Sequence, residues 1–262
     1  MVIVARETAI CSWEVSEFSR SFDRVAEIYD KTRSLPSEVM KKLVMTMSIE
    51  LEDCTQILDV GVGTGRLAEP LQNAGFEVVG IDISRKMASK AKEKGVKQLL
   101  LADARFLPFK PNAFDAALCV HVLHLISEWR RVLQEICQAS RLTMFSLYDA
   151  NDNPVRKAYG RLLRHYGYER HRPGISEQEL NELSNHAKSL FVSSYDVYAD
   201  DSLRSLEQQA SSSQWEIPRQ VNLKIVEELK TKFAGKKFKQ ELYLLEWDIN
   251  SLKVYTDNLR HN

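Results

Sequence analysis

The chain has 262 residues, enough for one large hydrophobic core with an appended cap, because single cores stop growing near ~250–300 residues. Hydrophobic residues make up 44% and charged residues 27%, which excludes a disordered, collagen-like or coiled-coil chain, and ten glycines with seven prolines are too few for a turn-rich all-β architecture. Thirty-six basic residues balance thirty-six acidic ones, so no global field gathers nucleic-acid phosphates; the longest uncharged stretch, Ala116 to Ser127, falls short of the roughly 20 apolar residues of a membrane span, and a cytoplasmic protein is expected.

In chain order, Phe22, Val25, Ala26 and Tyr29 recur at helical spacing, and after Pro36 the stripe Val39, Leu43 and Met47 predicts a second helix. The period then changes. Short apolar runs at Gln56–Val60, Glu77–Ile81, Gln98–Ala102, Phe114–Val120 and Leu142–Leu147 read as strands. Between them, Arg66 to Ala74, Arg85 to Lys94 (capped by Ser84) and Glu128 to Gln138 read as helices, the last with Trp129, Val132, Leu133 and Ile136 on one face. Strands alternating with helices predict an α/β fold with a doubly wound, mostly parallel sheet, and continuous apolarity within the strands fits burial on both faces.

After Asp149 the alternation breaks. Residues Asn151 to Lys188 read as an insertion with two helices around Arg172-Pro-Gly174, the second opened by the capping-box pattern Ser176-Glu-Gln-Glu179. Ser189 to Tyr198 and Phe238 to Ile249 predict two further strands flanking a helix over Val221 to Phe233. The expected organisation is a helical lid over residues 1–50, a binding core over 51–150, an inserted lid segment over 151–188 and a C-terminal part over 189–262 that completes the sheet. Four cysteines, Cys11, Cys54, Cys119 and Cys137, show neither CxxC spacing nor clustering with histidine; they read as buried apolar residues, and no metal site is expected.

Chemistry concentrates at three strand ends. In Asp59-Val-Gly-Val-Gly-Thr-Gly65 the glycines let the backbone turn tightly before a helix N-terminus, whose free amides suit a polar ligand. The third glycine stands one place earlier than the dinucleotide fingerprint requires. Asp82, at the second strand end, can accept from both hydroxyls of a ribose. Asp103, at the third, can accept from an exocyclic amine and so select adenine. His121 and His124 sit at the fourth strand end and Asp149 at the fifth, where each is a candidate base. Arg156 to Arg172 carries six Lys/Arg against Glu169, which reads either as a solvated helix face or as a lid for an anionic or aromatic substrate.

These residues resemble the class I S-adenosylmethionine-dependent methyltransferases, in the type 11 methyltransferase-domain group that includes ubiquinone and menaquinone biosynthesis enzymes. The resemblance rests on Asp59 to Gly65, Val79-Gly-Ile-Asp-Ile-Ser84, Ala102-Asp-Ala-Arg-Phe-Leu-Pro108, Phe114-Asp115, Val120-His-Val-Leu-His124 and the leader Phe22 to Asp30. It implies a seven-stranded sheet with an antiparallel terminal strand and a helical lid. It also implies a cofactor, S-adenosylmethionine, with Asp59, Gly61, Val62 and Gly63 at its methionine and ribose parts, Asp82 on the ribose, and Ile83, Asp103 and Ala104 about the adenine. Val120 and His121 would border the sulfonium, and Tyr29 and Arg33 the amino-acid tail. One departure is Cys137-Gln-Ala-Ser-Arg141, which replaces the family's Lys/Arg-Pro-Gly-Gly turn. Methyl transfer to an O, N or C nucleophile of a small molecule is the expected activity. A tRNA-directed methyltransferase and a non-catalytic protein built on the same fold share these motifs; a nicotinamide dehydrogenase would share Asp82, but the glycine spacing and Asp103 argue against it.

Overall fold

The computed structural model describes residues 22–150, 153–170, 172–184 and 187–258; Cys11, read above as a buried residue, lies outside them. Seven strands, β1 (Gln56–Val60), β2 (Glu77–Asp82), β3 (Gln98–Leu101), β4 (Phe114–Cys119), β5 (Ser140–Asp149), β6 (Lys188–Tyr198) and β7 (Lys237–Asp248), form one sheet in the order β3-β2-β1-β4-β5-β7-β6. The first five pair in parallel, and β7 runs antiparallel between β5 and β6. This is the doubly wound, mostly parallel architecture expected, closed by an antiparallel terminal strand.

Successive side chains of a strand point to opposite faces, so each apolar run feeds two cores. Ile57, Val78, Ala116 and Leu118 pack with Leu43 and Met47 of α2 (Ser37–Glu50) and with Leu71 of α3 (Ala68–Asn73). Ala91 of α4 (Arg85–Glu93) joins the same cluster. Leu58, Val60 and Ala117 pack on the other face against Val132, Leu133 and Ile136 of α5 (Trp129–Ala139) and Leu252 of α10 (Ile249–Asn258). A third apolar cluster lies apart. It joins Tyr159 and Leu163 of α6 (Pro154–His165), Leu203 and Leu206 of α8 (Ala199–Glu207), and Ile225 and Leu229 of α9 (Arg219–Phe233). The cap therefore draws on chain from both sides of β6, while α7 (Glu177–Ser184) gives Leu180 to the main core.

Some boundaries differ from the pattern reading. The leader from Phe22 forms i→i+3 turns, with Val25 N donating to Phe22 O and Ile28 N to Val25 O, both at 3.0 Å, before a five-residue α1 (Tyr29–Arg33). Val25 and Ala26 are nevertheless buried. At the replaced Lys/Arg-Pro-Gly-Gly turn, α5 ends at Ala139 and β5 starts at Ser140, with no loop between. Helices α8 and α10 had no counterpart in the pattern reading, because each shows only one or two short apolar repeats. Among the described residues no helix is long and apolar enough to cross a membrane.

Candidate active site

The C-terminal ends of β1, β2, β3 and β4 open into one cleft, where a doubly wound sheet places its ligands. Its wall brings together Gly61, Gly63, Asp82, Ile83, Asp103, Ala104, Val120 and His121, with Phe22 and Tyr29 closing over it. Met87, Leu125 and Ile126 complete an apolar lining that the sequence reading did not assign.

Gly61 holds φ at 72°, and a Cβ there would collide with Val122 Cγ2, so the loop passes the segment after β4 too closely for any side chain. Val62 is buried under the loop, its amide on Ile81 O at 2.8 Å, and does not line the cleft. Asp82 joins the two motifs. Its Oδ2 accepts from Gly63 N at 2.8 Å and its Oδ1 from Ser84 N at 2.7 Å. Burial pushes its carboxyl up to about 6 against the pull of those amides. Asp59 is buried beneath the loop, and its carboxyl is pushed up to about 7, first by burial and then by the neighbouring Asp82 charge, with Arg66 opposing. Two adjacent buried acids resist being ionised together.

Asp103 is already engaged. Arg105 donates to it from its amide at 2.9 Å, from Nε at 3.1 Å and from Nη2 at 2.7 Å, and reaches Glu128 with Nη1 at 2.5 Å. The acid lines the cleft as half of an ion pair, a placement that spacing alone did not reveal. Asp115 of the Phe114-Asp115 motif is structural: it accepts from Thr55 N, Gln56 N and Arg141 Nε at 2.7, 2.9 and 2.7 Å.

His121 has φ at 59°, an uncommon conformation for a residue with a side chain. Glu177, the first residue of α7, holds it there: Glu177 Oε1 accepts from His121 N at 2.8 Å and lies 3.4 Å from His121 Nδ1. Burial alone would raise the Glu177 carboxyl, but the hydrogen bond and charge of His121 outweigh it and hold it at about 2. His124 stands behind His121, with ring centroids 6.5 Å apart, and burial lowers it to about 4, so it is neutral at physiological pH. Asp149 is exposed at the end of β5 and accepts from Tyr195 Oη at 3.4 Å, while Asn153 caps α6. Arg33 ends α1 outside the wall of the cleft. Glu177 was missed because it lies 56 residues from His121, in a segment whose acids read as a helix cap.

The residues present fit an adenosyl group. Asp82 spends one lone pair of each oxygen on an amide and keeps the others for ribose hydroxyls, while Ile83, Met87, Leu125 and Ile126 offer apolar surface for a purine.

Residues 58–141 match the family model described as a methyltransferase domain. An uncharacterized methyltransferase of Bacillus mycoides is 31% identical over 160 residues, 55% of this chain and 75% of that protein. A demethylmenaquinone methyltransferase of Renibacterium salmoninarum is 26% identical over 207 residues, 76% of this chain and 81% of that one. Against an uncharacterized Methanocaldococcus jannaschii protein, 33% identical over 140 residues, the chain spans only about half of the relative, 51%. The crystal structure of an S-adenosylmethionine-dependent methyltransferase from Thermotoga maritima shares the fold with a TM-score of 0.52 at 17% identity, covering 87% of this chain and 97% of that one. The glycine loop under Asp82, the open nucleoside cleft and these likenesses agree: the chain belongs to the S-adenosylmethionine-dependent methyltransferase family.

Proposed function

We propose that the protein is a cytoplasmic enzyme that methylates a proton-bearing oxygen or nitrogen of a small molecule, with His121 as the base. The observation that carries this reading is the His121–Glu177 pair on the cleft wall. A carboxylate on Nδ1 fixes the tautomer, leaves Nε2 as the acceptor and stabilises the imidazolium that forms. A carbon nucleophile with no acidic proton would need no such pair. A small-molecule acceptor is in keeping with the demethylmenaquinone methyltransferase among the relatives.

S-adenosylmethionine, when bound, supplies a methyl group already activated on a sulfonium, so the protein is left with alignment, water exclusion and proton removal. Asp82 is suited to fix the ribose. Tyr29 and Phe22 cover the cleft and keep water from the methyl group, and Val120 and His121 border the position where donor and acceptor meet. Asp59 and Arg33 are the groups for the methionine end, and Ala104 with Asp103 for the adenine edge. His121 Nε2 receives the acceptor proton as the new bond forms. The test is turnover with methyl-labelled S-adenosylmethionine across a panel of phenols, carboxylic acids and amines. Wild type labels at least one acceptor, and His121→Gln binds S-adenosylhomocysteine but labels none. Equal labelling by the variant removes His121 from the chemistry.

A further inference from the structure

The cap carries a buried polar network that no step of the reaction uses. Just after α8, Gln209 holds φ at 50°, a left-handed conformation that glycine adopts at less cost. The glutamine side chain closes the next turn: its Nε2 donates to Gln214 O at 3.0 Å and to Ile217 O at 2.8 Å. Gln214, itself buried, donates to Leu206 O at 2.9 Å. Asn222 of α9 donates to the same carbonyl at 2.9 Å and accepts from Tyr159 Oη at 2.5 Å. Buried polar groups are costly unless satisfied, and a satisfied network holds one conformation.

What this network holds is Trp215. Its Nε1 donates to the Gln209 carbonyl at 3.0 Å, and it stands between the two residues whose carbonyls Gln209 clasps. The indole is only half-buried. It packs on Phe22 of the leader, with ring centroids 5.0 Å apart at 60°, and Arg24 lies over the same indole at 5.0 Å. Phe22 in turn meets Tyr29 edge-on, at 6.0 Å and 88°. Both spacings lie where aromatic pairs attract. Phe22 and Tyr29 line the cleft with Gly61, Gly63 and Asp82, so a row of three rings runs from the cap to the cleft wall. Asp23, next to Phe22, accepts from Lys86 N at 3.1 Å; that polar tie holds the leader's chain, while Trp215 meets the ring itself.

We infer that Trp215 is a positioning residue: with it the cap holds Phe22, and through Phe22 the Tyr29 ring, over the cleft, and so sets how long the donor cofactor stays bound. The inference rests on the reading of this cleft as the donor site, and it gives the cap a task there.

The test follows release of S-adenosylhomocysteine from the full chain by surface plasmon resonance. Trp215→Leu, which keeps apolar bulk on the cap but removes the ring, speeds release about five-fold or more, the worth of one aromatic pair. Trp215→Phe restores a ring and stays within about two-fold of wild type. Phe22→Leu also speeds release, and the double variant is no faster than Phe22→Leu alone, because the tryptophan acts through that ring. Unchanged release in Trp215→Leu, equally fast release in Trp215→Phe, or effects that multiply in the double variant overturn the inference. A second readout serves even where Trp215→Leu does not fold. In protein labelled with fluorinated tryptophan, the Trp215 resonance, assigned by its loss in Trp215→Phe, shifts in Phe22→Leu and again when wild type is saturated with S-adenosylhomocysteine, while that of the buried Trp247 stays. A Trp215 resonance that saturation leaves unmoved overturns the inference. Failure of wild type to bind S-adenosylhomocysteine at all refutes the donor-site reading beneath it instead.

Discussion

Thr64 Oγ1, inside the glycine loop, donates to Asp30 Oδ1 at 2.6 Å, joining residues 34 apart in the chain. Lys94 reinforces the contact, with Nζ 3.1 Å from Thr64 Oγ1 and 2.6 Å from Asp30 Oδ2. A second tie lies nearby, where Lys86 N donates to Asp23 Oδ1 at 3.1 Å. The segment from Asp23 to Asp30 is therefore tied both to the glycine loop and to the start of α4.

Asp30→Ala is expected to release that anchor. Losing one charge-assisted bond to a buried hydroxyl costs about 1–2 kcal/mol of local stability, so amide exchange across residues 22–33 should quicken several-fold while the sheet is unaffected. S-adenosylhomocysteine should slow exchange there in wild type, and more weakly in residues 156–170. Identical exchange in variant and wild type would show that the anchor does not hold the lid.

Asp82 and Asp59 make ligand binding depend on pH. Both carboxyls titrate in the folded protein above the ordinary range, at about 6 and about 7, so the folded state holds protons that the unfolded chain has released. Stability of the ligand-free protein should therefore fall as pH rises from about 4 to about 7. Ribose hydroxyls donate to the ionised form, so binding expels a proton, and S-adenosylhomocysteine affinity should rise between pH 5 and pH 7. Calorimetry at pH 6 in two buffers of different ionisation enthalpy reads the released proton directly; equal heats would contradict the coupling.

Asp82→Ala removes the acceptor proposed for both ribose hydroxyls, and a loss of roughly 2–4 kcal/mol in cofactor affinity is expected. The Gly63 and Ser84 amides also lose their partner, so melting should fall modestly. A folded variant with unchanged affinity would take the ribose away from Asp82.

Glu177→Gln separates positioning from chemistry. The amide can still accept from the His121 amide, but it cannot stabilise an imidazolium, so kcat should drop ten-fold or more with KM little changed, and the acid limb of the pH–rate profile should move to lower pH, the mark of a weaker base. Glu177 also contributes to the stability of the fold on the acid side. Its carboxyl sits at about 2, so its contribution is complete above the ordinary glutamate value near 4.5 and is lost as pH falls toward 2. The melting temperature of Glu177→Gln should fall less steeply than that of wild type as pH drops from about 4.5 toward 2.

The sheet was legible because its strands are continuous apolar runs and the candidate ligand positions fall at their ends: Asp59, Gly61 and Asp82 need only the local chain to be placed. Asp103 shows where this stops, since its partner Arg105 lies two residues away on a turn whose geometry no period encodes. Glu177 shows the larger gap. Ser176 and Glu179 do form the expected cap, with Ser176 N donating to Glu179 Oε2 at 2.8 Å, yet the acid between them turns inward to His121. Only the packing of the Gly174 turn on the β4 loop decides that, and such long-range contacts leave no spacing signature.

The direct passage of α5 into β5 makes a rigid joint. A helix residue turns the chain by about 100° and a strand residue by about 180°, so one residue inserted at Ala139–Ser140 would either rotate the buried Trp129, Val132 and Ile136 stripe off the sheet or put Met144 on the face of Phe145. Without slack to absorb the error, the two elements share one register, and the helix cannot be lengthened or shortened without moving the strand.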